Sequence, residues 1–300
     1  MKKIVILLST YNGENYLEEQ ISSLARQVDV DIEIYVRDDG SKDNTLNILD
    51  KLGRNGILTW YKGDNLGPAL SFMDLVKKAP TADYYAFCDQ DDIWDDDKLK
   101  VAVDYIKNFD DKHPALYFSN TRLVDKDLNH IKIKTQKPRI TLGSALIINP
   151  VTGCTLVINR KLLEIIRIFD NRNLGMHDGW IYRVCMALDG SVYFDYDPHI
   201  SYRQHSNNVI GGKSSLFKKY KRRFRYVVSD RQRIRETAAI QLLNGYADLI
   251  SSDNLEQIKK VANYRKSFLQ KFDLILDKRF RTNSIVYNTS FVIAVLLDAF

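Results

Sequence analysis

The sequence predicts an α/β fold: a mostly parallel central sheet covered by helices on both faces, followed by a helical C-terminal region. Three observations point there. Short apolar runs alternate with helical periodicity through the first 110 residues. Each of the first four runs ends abruptly in a polar turn. From Leu216 onward the pattern is almost wholly helical. A β-α-β-α-β-α-β order builds parallel strands, because parallel neighbours need a crossover helix between them.

The elements follow in order. Lys3–Ser9 is an apolar, β-branched run and reads as the first strand. It is too short for the apolar core of a signal peptide and leads into a polar turn, so a cytoplasmic protein is expected. Glu14–Gln27 sets Tyr16, Leu17, Ile21 and Leu24 at helical spacing, with Asn12 or Gly13 available as a cap. Asp31–Arg37 alternates like a strand, Lys42–Leu52 reads as a short helix and Gly56–Tyr61 as a strand. Gly67–Lys78 is helical, with Pro68 suited to its first turn. Tyr84–Cys88 is a buried strand and Asp97–Phe109 a helix. Beyond it the pattern predicts a strand over Ala115–Leu123, a polar excursion over Val124–Gly143 and a strand over Gly153–Ile158. Helices over Arg160–Phe169 and His177–Leu188 follow, then strands over Ser191–Phe194 and Ile200–Arg203. The Gly211-Gly212 pair marks a boundary between a body, 1–212, and a C-terminal region, 213–300.

At 45% hydrophobic, the 300 residues have the composition of an ordinary soluble chain. The three cysteines, Cys88, Cys154 and Cys185, match no zinc spacing and read as buried free thiols. Charge is uneven. Residues 213–300 hold 18 basic and 8 acidic side chains, leaving 26 basic and 30 acidic in the body. A near-neutral body with a basic end suggests an anionic partner for that end alone.

The stretch Phe87-Cys88-Asp89-Gln90-Asp91-Asp92-Ile93-Trp94 is the most informative. A buried-strand pattern stops in three carboxylates within four positions. Such close carboxylates repel one another, and a hard divalent cation between them is the usual relief; a solvated acidic loop is the plain alternative. The C-terminal edge of an open parallel sheet is where α/β proteins bind ligands. Three more polar turns fall on that edge: Ser9-Thr10-Tyr11-Asn12-Gly13, Arg37-Asp38-Asp39-Gly40-Ser41 and Asp64-Asn65-Leu66-Gly67. There Tyr11 can cover a nucleobase, Asp39 can accept from a pyrimidine imide N–H, and Asp91 can hold a cation that bridges two phosphates.

Together these motifs resemble those of family-2 glycosyltransferases with the GT-A fold, over residues 3 to about 210. The carriers are Ser-Thr-Tyr-Asn at 9–12, Asp-Asp-Gly-Ser at 38–41 and the Asp-x-Asp signature Asp89-Gln90-Asp91. The resemblance implies a nucleotide-sugar-binding half, 1–110, and an acceptor half, 111–212. It implies nucleotide contacts from Ser9, Tyr11, Asn12, Asp38, Asp39, Asn65, Gly67 and Asp89, and Mn²⁺ or Mg²⁺ on Asp91 with Asp89 beside it. It also implies a general base at the start of an acceptor-side helix. Met176-His177-Asp178-Gly179-Trp180 matches that place, with Asp178 at the base position. A helix N-terminus keeps a carboxylate ionised, which suits a base. His177 is either the base itself or a support for Asp178, and a simple N-cap is the plain alternative. In Arg203-Gln204-His205, the resemblance suggests His205 as a further metal or diphosphate contact, and Arg203 would help neutralise the diphosphate.

The form Cys-Asp-Gln-Asp-Asp-Ile-Trp is similar to the subgroup that makes rhamnose-containing bacterial surface polysaccharides. An inverting transferase using dTDP-L-rhamnose is therefore expected, with UDP-glucose, UDP-galactose or UDP-N-acetylglucosamine as alternative donors. A sugar nucleotidyltransferase would open with a Gly-rich phosphate loop, which Ser9–Gly13 does not supply. A non-catalytic scaffold would have no need of Asp39, Asp89, Asp91 and Asp178 together.

Residues 213–226 interleave Lys213, Lys218, Lys219, Lys221, Arg222, Arg223 and Arg225 with aromatics, and Phe217, Tyr220 and Phe224 share one helical face. That pattern reads as a helix on an anionic membrane surface, or else as a solvated helix face. No nucleic-acid fold motif accompanies it. A lipid-linked saccharide acceptor would suit the membrane reading and would place the enzyme on the inner face of the cell membrane. Ile285–Phe300 is mostly apolar but shorter than the about 20 residues that span a bilayer. It reads as a packed helix, a contact between copies of the chain or a shallow anchor.

Overall fold

The computed structural model describes residues 1–131, 137–204 and 233–300. Strand β1 (Lys3–Thr10) lies between two parallel neighbours, β2 (Asp31–Asp38) and β4 (Tyr84–Cys88). β3 (Thr59–Lys62) extends the sheet beyond β2. On the other side come β8 (Val157–Asn159), β6 (Ala115–Ser119) and β9 (Ser191–Asp195), completing seven strands in the order β3-β2-β1-β4-β8-β6-β9. β8 runs antiparallel to both of its neighbours.

Strand side chains alternate between the two faces of a sheet, so one apolar strand serves two cores. Ile4, Ile6 and Leu8 pack with α1 (Leu17–Leu24), α2 (Thr45–Arg54) and α4 (Lys98–Ile106). Val5 and Leu7 pack with α3 (Pro68–Lys78), α6 (Arg160–Ile168) and α7 (His177–Ala187). Gly67, at φ 77°, turns the chain into Pro68 at the start of α3.

The second core reaches much further than the sheet. It takes in Leu146 of α5 (Leu142–Ile147), Leu242 of α8 (Ile234–Tyr246), Val261 of α9 (Ser252–Asn263), Leu274 of α10 (Phe268–Leu276) and Phe291 of α11 (Ile285–Leu296). The C-terminal helices and the sheet therefore share one apolar cluster. Ile285–Phe300 contains a packed helix, and among the described residues no helix is long and apolar enough to cross a membrane. The basic stretch 213–226, the Gly211-Gly212 pair and His205 lie outside the described residues.

A second sheet of three strands, β5 (Ile93–Trp94), β10 (Ile200–Arg203) and β7 (Arg122–Val124), sits beside the acidic turn. Here the structure departs from the sequence reading. Ala115–Leu123 is two strands in different sheets, not one. The break falls at Asn120, whose backbone N–H donates to Asp195 O at 3.0 Å and whose side chain donates to Tyr196 O at 2.6 Å. Gly153–Ile158 likewise begins with a tight 3₁₀ turn, Gly153–Thr155, before β8. Helix α5 starts at the last two residues of the stretch read as a polar excursion and runs beyond it, and the Thr141 hydroxyl caps it by accepting from Ser144 N.

Because α11 shares the sheet's core, Phe291→Ala should lower stability by about 3–5 kcal/mol. Urea unfolding followed by circular dichroism and by tryptophan fluorescence should show one coincident transition. Early loss of helix signal alone would mean that the C-terminal helices are a separate unit.

Candidate active site

The parallel register brings the polar turns to one edge. Thr10 lies level with Asp38, Asp38 with Lys62, and Leu8 with Cys88. The turns after β1, β2, β3 and β4 thus emerge side by side.

Gln90 ties the first turn to the fourth. Its Oε1 accepts from the Thr10 hydroxyl at 2.6 Å and from Tyr11 N at 2.8 Å, while its Nε2 donates to Tyr11 O at 3.1 Å. Gly13 leaves the room for this. A methyl group there would stand 2.5 Å from Gln90 Oε1 and 2.7 Å from Thr10 Oγ1. The same turn is tied to the second one: Asn12 N donates to Ser41 Oγ, and Asn12 Oδ1 accepts from Lys42 N, both at 2.9 Å. Ser9 Oγ lies 2.5 Å from Ser71 Oγ on α3. Tyr11 itself is exposed, as a platform for a ring would be.

In the second turn the two aspartates have different surroundings. Asp38 is fully buried and organises its own turn, accepting from Gly40 N at 3.1 Å, from Ser41 N at 3.0 Å and from the Ser41 hydroxyl. Asp39 faces the third turn. Its Oδ1 accepts from Leu66 N and its Oδ2 from Gly67 N, both at 2.9 Å, and Arg37 pairs with it directly. Arg37 is buried as well, and its other donors reach Asp74, Ser71 and Asp64 O. Asn65 stands exposed next to this junction.

The fourth turn concentrates negative charge. Burial, then Asp91 and Asp178, push the Asp89 carboxyl well above the ordinary carboxylate range. Burial, then Asp91 and Asp89, do the same to Asp92. Oxygens of Asp89 and Asp92 and the Cys154 sulfur lie within 4.8 Å of one another. The donor chemistry suits a hard cation: carboxylate oxygens converge, and among the described residues Asp92 Oδ2 is buried without a hydrogen-bond donor. Cys154 suits such an ion poorly, since burial keeps its thiol protonated.

Positive groups hold this turn from behind. Arg203 is buried, and its backbone N–H donates to Asp92 Oδ1 at 3.1 Å. Its guanidinium donates to Asp91 O at 3.0 Å, to Lys126 O at 3.1 Å and to Glu19 at 2.6 Å, and lies over the Tyr16 ring. That geometry makes Arg203 a brace for the acidic turn. Lys98 lies beneath, wholly buried, with its Nζ 3.3 Å from the Trp94 ring centroid. Burial pulls it down to about 8, opposed by neighbours that include Asp92.

Asp178 approaches from the other half of the sheet, in the first turn of α7. It is buried, accepts from Gly179 N at 2.6 Å and is hydrogen-bonded by the Asn149 side chain. Burial raises its carboxyl above the ordinary range. It is close enough to Asp89 to affect that residue's ionisation, so the structure brings Asp89, Asp91 and Asp178 together. His177 points elsewhere. It packs on Phe72 at 4.0 Å and on Phe87 at 5.5 Å, and neither ring nitrogen has a hydrogen-bond partner among the described residues. Burial pulls it down to about 3, which makes it a neutral ring near pH 7.

Gln90, Lys98, Asn149 and the bracing part of Arg203 escaped the sequence reading. Gln90 had one visible signal, its place as the middle residue of Asp-x-Asp. Asp92 was visible only as excess charge.

Comparison with known proteins agrees with this architecture. The structure superimposes on Staphylococcus aureus TarS 1-349 in complex with UDP-GlcNAc with a TM-score of 0.60, covering 98% of this chain and 81% of that one at 19% identity. It also superimposes on the mannosyltransferase PcManGT from Pyrobaculum calidifontis, in complex with GDP-Man and Mn²⁺, with a TM-score of 0.55 at 16% identity, covering 99% and 87%. The fold is of the GT-A class. The sequence model described as Glycosyl transferase family 2 matches residues 5–166, and the chain belongs to that family of glycosyltransferases. Over 233 residues it is 36% identical to the dTDP-rhamnosyl transferase RfbG of Shigella flexneri, covering 72% of this chain and 77% of that protein. It is 26% identical over 224 residues to an uncharacterized glycosyltransferase of Rickettsia typhi, covering 72% and 69%.

Replacing Gln90 by Leu removes all three ties between the first and fourth turns. At about 1 kcal/mol net for each hydrogen bond, partly offset by water, nucleoside diphosphate binding should weaken about tenfold. Titration calorimetry of the variant checks this, and unchanged affinity would show that the two turns act independently.

Proposed function

We propose that this glycosyltransferase is inverting and metal-dependent, moving L-rhamnose from dTDP-L-rhamnose to a saccharide acceptor in bacterial cell-surface polysaccharide synthesis. The observation that carries the chemistry is the approach of Asp178, on an acceptor-half helix, to the Asp89–Asp91 turn of the nucleotide half. The donor sugar rests on the likeness to the Shigella flexneri protein.

In this reading Tyr11 covers the base, and the spare lone pair of Asp39 Oδ2 accepts the imide N–H. Asp89 and Asp91 would hold Mn²⁺ or Mg²⁺, which supplies charge neutralisation for the departing diphosphate. Asp178 takes the proton from the acceptor hydroxyl. The freed oxygen attacks C1 of the sugar from the face opposite the diphosphate. One C–O bond forms, the bond to the phosphate oxygen breaks, and the electron pair leaves with the nucleoside diphosphate. A single displacement inverts the anomeric centre. His177 sets the start of α7 against Phe72 and Phe87 as a neutral ring, so the base is Asp178. The acceptor is a glycan or a lipid-linked saccharide, and the enzyme would work at the inner face of the cell membrane.

The test is release of nucleoside diphosphate from a panel of dTDP- and UDP-sugars, with Mn²⁺, with Mg²⁺ and with EDTA. Turnover of dTDP-rhamnose alone, abolished by EDTA, is expected. Turnover of a UDP-hexose instead would overturn the donor, since both pyrimidines offer Asp39 the same imide N–H.

Asp178→Asn should cut kcat by about 10²–10⁴ with nucleotide affinity retained. His177→Phe should keep most activity. A base must be deprotonated to act. Because the Asp178 carboxyl titrates above the ordinary carboxylate range, kcat should fall as pH drops through that raised value. No second limb from His177 should appear near neutrality. An activity loss in His177→Phe equal to that of Asp178→Asn would reassign the base.

A further inference from the structure

Helix α10 leaves an apolar stripe uncovered. Phe268, Leu269, Phe272 and Leu276 are 68%, 80%, 40% and 69% exposed, and their spacing puts them on one side of the helix. Phe268 and Phe272 meet edge to face at 4.7 Å, so the stripe has a preformed aromatic knob. Lys271 extends it by bonding Leu296 O at 3.5 Å and Asp298 at 2.8 Å, which sets the end of α11 alongside. Leu296 and Leu297, 43% and 57% exposed, lie at that end.

The charges around the stripe give its partner a sign. Asp273 and Asp277, the two carboxylates of this segment, are both paired with Lys260, at 3.0 and 3.1 Å. Lys266 and Lys278, just before and just after the helix, are exposed and form no ion pair among the described residues. An apolar stripe with unneutralised lysines at both ends and its acids already paired matches a bilayer surface. The chains insert among the acyl tails while the ammonium groups stay at anionic headgroups.

We propose that α10 docks this protein on an anionic membrane through Phe268, Leu269, Phe272 and Leu276, with Lys266 and Lys278 on the headgroups. The residues of this face are other than those of the basic stretch 213–226. α10 is linked to the helix of Asp178 by packing: α10 packs on α9, α9 on α5, and α5 on α7. The proposal does not depend on the sugar or on the transfer chemistry.

The test is flotation of the full chain with vesicles of phosphatidylcholine alone or mixed with phosphatidylglycerol. Wild type should float with the anionic vesicles and at least tenfold less with the neutral ones. The triple variant Phe268→Ser, Leu269→Ser, Leu276→Ser should lose tenfold or more of its partition. The pair Lys266→Ala, Lys278→Ala should lose several-fold and become less sensitive to salt. All three serine positions are exposed, so the variant should keep wild-type circular dichroism and donor hydrolysis, which separates lost docking from lost folding or lost catalysis. Undiminished flotation of the triple variant overturns the proposal and leaves binding to 213–226. Absence of wild-type flotation also overturns it. If wild type is then a dimer by size exclusion and the triple variant a monomer, the stripe is a contact between two copies instead.

Discussion

The site rests on one electrostatic constraint: half-buried Asp89 and Asp91 must stay near the buried carboxyls of Asp92 and Asp178. Like charges in such a place raise one another's proton affinity, as Asp89 and Asp92 show. The fold answers with fixed positive ends. Arg203 braces the turn through its backbone and its guanidinium, Lys98 lies beneath, and the start of α7 holds Asp178. These supports meet the turn at the Asp92 carboxylate, the Asp91 carbonyl and the Trp94 ring.

Such an arrangement works only if the turns keep their relative positions. The small sheet does part of this, since β10 pairs with β5, which leaves the acidic turn, and with β7. Arg122 fastens it by a two-point contact to Asp95 at 2.9 and 3.0 Å. Gln90 does the rest at the front. Charge stabilisation costs least when the dipoles are in place before the substrate arrives.

What was legible in the sequence was local. Strand runs, helix periodicity and the polar turns after β1 to β4 follow from neighbours in the chain, and the architecture could be read from them. Ends were less legible. The break at Asn120 is made by Asp195 and Tyr196, and nothing near position 120 announces them. The site divides the same way. Dense charge marked Asp89 and Asp91, and a helix start marked Asp178. The partners of Gln90 lie 79 and 80 positions away, and Arg203 meets Glu19 across 184. Such pairings exist only once the chain has folded. Asp38 and Asp39 look equivalent in the sequence, yet one is tied into its own turn and the other faces the third. His177 looked like chemistry because of its residue type, and two phenylalanines give it an apolar place instead.

The contact between Gly13 and Gln90 also limits how this edge could change over time. A side chain at position 13 would collide with Gln90 Oε1, and shortening residue 90 would open a gap beside Thr10. Neither position can vary freely alone. A side chain at position 13 therefore displaces the Gln90 amide, and with it the ties that hold the first turn to the acidic signature.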